Sequence, residues 1–301
     1  VVQVCALPIY HVAALVCVCL IGMRMGISNL LIPNPRDLRG FVRELGKRPF
    51  HIMPAVNTLL NVLADDPGFQ RLDHSPLEWT NAGATAVQRA VAEKWQALTG
   101  CVVRQAYGLT ETLLVSSTPS NAAEFDGAVG VPIPSTEVAI LNEQGRPLPL
   151  GEVGEIAVRG PQVMAGYWQR PEETARALGA DGYLRTGDMG RLDARGSLHV
   201  VDRKKDLIIV SGFNVYPNEI EDVVMMLPGV AECAAVAVPD EHSGEAVKLY
   251  VVRRDPALTA EQVAAHCKAQ LTGYKRPRHL EFRDALPKTP VGKILRRELR
   301  Q

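Results

Sequence analysis

Apolar positions in this chain recur at two spacings, and the spacing changes along its length. Leu38, Phe41, Val42 and Leu45 stand at i, i+3, i+4 and i+7, the stripe of a helix packed on one side. Asn34-Pro35-Arg36-Asp37 opens it, with Pro35 expected in the first turn, where its fixed φ and missing N–H do no harm. A second helix is expected after Pro54 on Leu59, Leu60 and Leu63, and a third over 87–98, stopped by Gly100. The apolar Cys101-Val102-Val103 reads as a buried strand. Helices alternating with short buried strands predict a parallel α/β layer up to about Asn121.

After Asp126 turn residues crowd in, from Pro132-Ile133-Pro134 through Asn142-Glu143-Gln144-Gly145 to Gly151 and Gly154. The short runs 136–141 and 155–158 between them have β character, so this part reads as a β-rich subdomain. From Asp206 the order is strand 207–210, helix 218–226, strands 234–238 and 247–252, helix 260–271 and strand 279–282, a compact α+β unit. The fold class is therefore α/β, in the form of a large domain (a parallel α/β layer over 1–125 and a β-rich subdomain over 126–201) followed by a small α+β domain over 202–301. The boundary is expected near Asp202, in a charged and polar connection.

The amino-terminal stretch carries no charge before Arg24. Its cleanest apolar run, 12–22, is about half of the ~20 residues a membrane helix needs, and Pro8, Tyr10 and His11 interrupt what precedes it. A buried strand, a turn and a core helix are expected there. No basic segment precedes the run, as a secretory leader requires. The chain opens at Val1 without Met and reads as beginning inside a domain.

Composition narrows the function. Among 301 residues, 33 Lys and Arg balance 33 Asp and Glu, so no global basic field calls for nucleic acid. Aromatic content of 5% argues against base-stacking platforms. Cys5, Cys17, Cys19, Cys101, Cys233 and Cys267 form no CxxC. They read as reduced cysteines of a cytoplasmic protein.

Five segments carry residues with chemistry. Tyr107-Gly108-Leu109-Thr110-Glu111 follows an expected buried strand, the end at which α/β sheets bind ligands. Gly108 permits a tight turn there, and a carboxylate such as Glu111 combines with phosphate oxygens to hold Mg²⁺. Asn81-Ala82-Gly83-Ala84 offers small residues that let backbone approach a flat ligand. Thr186-Gly187-Asp188 supplies a carboxylate able to accept hydrogen bonds from a pair of ribose hydroxyls. In 201–221, VDRKKDLIIVSGFNVYPNEIE, Asp202 and Arg203 precede a strand, a Ser211-Gly212 turn and a helix start at Pro217. In Pro287-Lys288-Thr289-Pro290-Val291-Gly292-Lys293, Lys293 stands on a loop and is followed by an amphipathic run; its ammonium is a compact point charge suited to phosphate. Judged singly, each segment also has a plain reading as a turn, a strand exit or a solvated charge.

Taken in order, the segments resemble the adenylate-forming enzymes (acyl-CoA synthetases, luciferases and peptide-synthetase adenylation domains), and most closely the bacterial long-chain fatty-acid–CoA ligases. DRKKDLIIVSGFNVYPNEIED, RGPQVMAGYWQRPE over 159–172 and LPKTPVGKILRREL carry the resemblance most specifically. It implies that Tyr107 stacks on adenine beside Gly83, Ala84 and Gly108, that Thr110 meets the α-phosphate, and that Glu111 holds the metal. It implies that Asp188 and Arg203 bind ribose, that Asp202 is the hinge, and that Lys293 catalyses adenylate formation. Ser211, Gly212 and Phe213 would face the thioester step, and His11 the acyl site. ATP, CoA and a fatty acid are the implied substrates, with Mg²⁺ as cofactor. A medium-chain or aryl acid, a non-catalytic AMP-binding role, peripheral membrane contact at the inner face, and a homodimer stay open. An amino-acid substrate would call for a carboxylate after His11, where 12–21 is apolar throughout. The family's Ser/Thr/Gly-rich phosphate loop is expected before Val1, and no GxxxxGK[ST] or GxGxxG occurs in its place.

Overall fold

The computed structural model describes residues 1–289 and 292–300, so Pro290 and Val291 of the Lys293 motif lie outside the described residues. Its internal contacts group the chain into two units. The first holds Val1–Val87, Val91–Thr186 and Gly190–Val200; the second holds Gln88–Ala90, Gly187–Met189 and Val201 onward.

The first unit contains a sheet built from β1 (Val2–Cys5), β2 (Ser28–Leu31), β3 (Ile52–Ala55), β4 (Trp79–Ala82), β5 (Val103–Leu109), β6 (Leu113–Ser117) and β7 (Val131–Pro132), in the order β2-β1-β3-β4-β5-β6-β7. β2 to β5 are mutually parallel through β1, β3 and β4, whereas β6 runs antiparallel to both β5 and β7. The parallel layer thus stops at β5, short of Asn121. The reason lies in the connection: Thr110–Thr112 is too short for a crossover, which needs about a dozen residues, and long enough only for a hairpin. Cys101 is buried but precedes the strand, which starts at Val103 and runs through Tyr107 to Leu109.

Several helices feed this sheet. A π-helical segment, Ala13–Leu20, continues into α1 (Ile21–Met25) and ends at Gly26 in the left-handed region, φ 70°. It was expected to be a core helix, yet only Ala14, Val18 and Gly22 are buried. These lie four residues apart on one stripe, while Leu15, Leu20, Ile21, Met23 and Met25 are exposed. No described helix is long and apolar enough to cross a membrane. α2 (Leu38–Leu45) starts later than its proline implies: Asp37 is the cap, accepting from Gly40 N at 3.0 Å, and Pro35 stays outside. α3 (Asn57–Asp65), α4 (Pro67–Gln70) and α5 (Arg89–Thr99) follow, with Gly100 at φ 73° ending the last.

A second sheet holds β8 (Glu137–Leu141), β9 (Gly154–Arg159), β10 (Leu184–Leu192) and β11 (Leu198–Arg203) in the order β11-β10-β9-β8, with α6 (Pro171–Ala177) between β9 and β10. Ile140, Ile156, Val158 and Leu198 bury together with Tyr107, Val115 and Val129.

The second unit is built on β12 (Ile208–Val210), β13 (Phe213–Val215), β14 (Val230–Asp240), β15 (Gly244–Arg253) and β16 (His279–Arg283), with α7 (Pro217–Met225) and α8 (Ala260–Gln270). The order is β13-β12-β15-β14, and β16 adds parallel to β15. Ser211 at φ 50° and Gly212 at φ 82° make the two-residue turn joining β12 to β13, a pair of left-handed conformations that matches strand twist. Ala234, Val236, Tyr250, Leu286 and Leu299 form a core cluster.

Candidate active site

The candidate residues of the first unit gather where parallel strands end. Gly83 follows β4 directly, and a Cβ there would come 2.8 Å from the Ala106 carbonyl oxygen on β5. Ala84 next to it is left-handed, φ 66°, so the chain leaves the strand in a sharp turn. Tyr107 lies on β5 with only 9% of its surface exposed, within the cluster around Val115 and Ile156. Gly108 is required by geometry, since a Cβ would lie 1.8 Å from the Leu113 carbonyl oxygen. The turn is closed by Thr112, fully buried, whose hydroxyl accepts from Leu109 N at 3.2 Å. Thr110 and Glu111 project from this turn. Glu111 is fastened twice, by Met164 N to its carbonyl oxygen at 2.8 Å and by the Tyr167 hydroxyl to Oε1 at 2.9 Å. Trp168, next to that tyrosine, is 88% exposed. His11 precedes the π-helical segment; its Nδ1 accepts from Ala13 N at 3.3 Å, so the side chain helps to cap that helix.

In the second unit Asp188 is almost fully buried and pairs with Arg203 Nε at 2.9 Å. It sits on β10 rather than in a turn. Asp202 closes β11 with 2% exposure, not in a solvated linker. Its Oδ1 accepts from Arg203 N and its Oδ2 from Asn218 N, each at 2.8 Å. The second bond satisfies an open N–H in the first turn of α7, a cap delivered from outside the helix.

Lys293 lies in a tight reversal. Thr289 N donates to the Lys293 carbonyl at 2.8 Å, and Lys293 N donates to Thr289 Oγ1 at 3.1 Å. Desolvation, and then the charge of Arg203, lower the pKa of its ammonium, while Asp188 works the other way. The reversal is anchored on both sides. Before it, Lys288 pairs with Glu232 at 2.6 Å. After it, Arg296 makes a two-pronged contact with Glu221, 2.8 Å to each oxygen, and also reaches Asn218 Oδ1 at 2.9 Å. Asp202 and Asp206 stand 3.8 Å from the same guanidinium. Burial works to lower the Arg296 pKa, but Glu221 and Asp202 outweigh it and the net shift is upward. The amphipathic run after Lys293 holds a single 3-10 turn, Arg296–Glu298, after which Leu299 enters the core and its carbonyl accepts from the Tyr250 hydroxyl at 2.9 Å.

Beside the Ser211-Gly212 turn, Phe213 and Tyr274 stack with ring centroids 4.7 Å apart, both partly exposed. In the basic turn 273–277 beside Phe213, Lys275 is paired with Glu219 at 2.6 Å. Tyr167, Glu221 and Arg296 were not singled out by sequence reasoning. Tyr167 falls in the conspicuous stretch 159–172, and Arg296 follows Lys293 by three residues, so position was the only available signal.

The sequence profile of the AMP-binding enzyme family matches residues 1–168, and that of the AMP-binding enzyme C-terminal domain matches residues 219–293. A long-chain-fatty-acid–CoA ligase of Escherichia coli O6:H1 is 53% identical over 298 residues, 99% of this chain and 53% of that protein. A feruloyl-CoA synthase of an Amycolatopsis species is 37% identical, over 98% of this chain and 60% of that protein. Among solved structures, ATP-bound MatB from Rhodopseudomonas palustris superposes with a TM-score of 0.90 at 33% identity, covering 99% of this chain and 59% of that one. The chain thus spans about half the length of the curated ligases it matches.

Proposed function

This chain belongs to the AMP-binding enzyme family, and we propose that it serves an acid–CoA ligase that joins a long-chain fatty acid to CoA through an acyl-adenylate. The observation that carries the substrate class is the 53% identity, over nearly the whole chain, to a long-chain-fatty-acid–CoA ligase. In the first step a carboxylate oxygen attacks the α-phosphorus of ATP and the bond to pyrophosphate breaks. In the second the CoA sulfur, having lost its proton, attacks the acyl carbon and the bond to AMP breaks.

Each residue then has a task. Gly83 and Ala84 form a backbone wall for adenine, Tyr107 stacks on it, and Gly108 keeps the hairpin tight. Asp188, held by Arg203, accepts hydrogen bonds from the ribose hydroxyls. Thr110 donates to the α-phosphate. Lys293 places its charge against the equatorial oxygens, where negative charge builds in the transition state. His11 and the apolar stretch after it border the acyl group. The unit 202–301 turns at Asp202 between steps, withdrawing Lys293 and presenting Ser211, Gly212 and Phe213 to the thiol.

The donor set fits Mg²⁺ carried by a nucleotide. Among the described residues no group of three or more His, Cys, Asp or Glu is arranged to hold a metal. Glu111 offers one carboxylate, and Mg²⁺ is ordinarily held by one or two carboxylates together with substrate phosphates and water. Bound there, it would neutralise phosphate charge.

The test uses protein expressed from the complete open reading frame. Lys293→Ala should slow pyrophosphate release by a few hundred-fold or more, since one such stabilising group is worth about 3–4 kcal/mol, and should spare thioester formation from supplied acyl-AMP. Gly212→Leu should do the opposite, because a side chain there blocks the thiol's approach. Equal damage to both steps by both changes would sink the two-face account. The 37% identity to a feruloyl-CoA synthase favours an aryl acid as second reading; a panel of aliphatic and aryl acids decides between them. AMP binding without pyrophosphate release would leave a nucleotide-binding role alone.

A further inference from the structure

The loop between β9 and α6 grips Glu111 more elaborately than a simple connection requires. Besides the bonds from Met164 N and the Tyr167 hydroxyl, the loop is braced on neighbouring strands. Gln162 Nε2 donates to the Leu114 carbonyl at 3.2 Å and to Thr136 Oγ1 at 2.8 Å. Tyr167 N donates to Thr174 Oγ1 at 2.8 Å, and that hydroxyl donates to the Arg170 carbonyl at 2.8 Å. Gly166 takes φ 152°, and a Cβ there would come 2.7 Å from Thr174 Cγ2. The backbone of residue 167 is thus fixed before its side chain reaches Glu111.

A phenol has one proton to give, and here it goes to a single carboxylate oxygen. We propose that Tyr167 is a positioning residue that reserves Oε1 of Glu111 and presents Oε2 alone to a nucleotide-bound divalent cation, so that the site prefers Mg²⁺ to Ca²⁺. This rests on the reading of Glu111 as the metal carboxylate. The chemistry is a matter of ion size. Mg²⁺ is content with single oxygen contacts at about 2.0–2.1 Å, whereas Ca²⁺ commonly takes both oxygens of one carboxylate. A two-oxygen contact to Glu111 has to displace the phenol first.

Tyr167→Phe removes one oxygen and keeps the ring that packs the loop. Calorimetric titration of wild type and variant with ATP alone, with ATP and Mg²⁺, and with ATP and Ca²⁺ reads the effect without turnover. In the variant, ATP alone should bind as before. The gain from Mg²⁺ should fall about ten-fold, the usual scale for removing a hydrogen-bond partner of a metal ligand, and the preference for Mg²⁺ over Ca²⁺ should narrow. Thr174→Val, which frees the loop but keeps the phenol, should show the same direction at smaller size. An unchanged preference in Tyr167→Phe, or a loss that is equal with and without metal, overturns the proposal and leaves Tyr167 as a loop brace. If wild-type protein gains nothing from either cation, the metal reading of Glu111 fails first and takes this inference with it.

Discussion

Gly108 shows how little freedom a single position in this site has. A Cβ would lie 1.8 Å from Leu113 O and 2.8 Å from Leu113 C, both backbone atoms that move only if the β5–β6 hairpin opens. Gly108→Ala should therefore cost about 3 kcal/mol or more, at the upper end of overpacking effects, read as a lower urea midpoint. A variant of wild-type stability would mean that the hairpin yields more easily than its hydrogen bonds imply. At this scale the sequence was informative where a residue type has one strong use. Gly108 could be picked out because a tight turn after a strand has one strong use for glycine, and the turn is there; Asp188 and Lys293 were proposed only through the order of the segments around them, since each alone also suits a turn or a solvated charge. Tyr167 and Arg296 could not be picked out, because their significance lies in partners 56 and 75 residues away, and spacing does not encode such pairings.

Helix and strand periodicity was legible for most elements, and the errors fall where a boundary depends on something other than periodicity. Asp37 displaces Pro35 as the start of α2 because a side-chain cap fixes the entry more firmly than a fixed φ does. β5 and β6 pair antiparallel because their link is three residues long, a length that hydrophobic pattern does not announce. At the carboxyl end, one guanidinium organises several elements: Arg296 joins the segment after Lys293 to Glu221 and Asn218 on α7, and lies near Asp202 at the end of β11. Arg296→Ala leaves those carboxylates buried without their cation and should cost about 3–5 kcal/mol. Combining Arg296→Met with Glu221→Leu should recover part of that loss, since the Glu221 carboxylate is then no longer stranded, although Asp202 still lacks its cation and Ala235 N its acceptor. Chemical denaturation of the single and double variants checks this, and an equally unstable double variant would show that the ion pair is not what holds the segment.

For the whole molecule, the boundary near Asp202 is the expectation with the widest reach. We propose 202–301 as a unit that keeps its fold when separated. Lys204 and Lys205 are exposed beside it, so brief trypsin treatment should cut first after residues 203–205 and leave a stable carboxyl-terminal fragment. First cuts elsewhere, with rapid loss of that fragment, would refute it. Composition and element order gave the α/β class and the change to a β-rich texture after Asp126. They could not reveal that the segments Gln88–Ala90 and Gly187–Met189 group with the carboxyl-terminal unit, because such grouping follows from residues far apart in sequence meeting in space.

The bonds made by Asp202 also bear on how a pivot there could turn. Its carboxylate is fastened to Arg203 N and Asn218 N, both on the carboxyl-terminal side. Rotation about its Cα–C bond would swing the carboxylate away from both donors at once. Rotation about its N–Cα bond carries side chain, donors and α7 together and leaves every one of these bonds intact. A torsional change at residue 202 that preserves the helix cap is therefore a change in φ, and ψ is the angle the carboxylate locks.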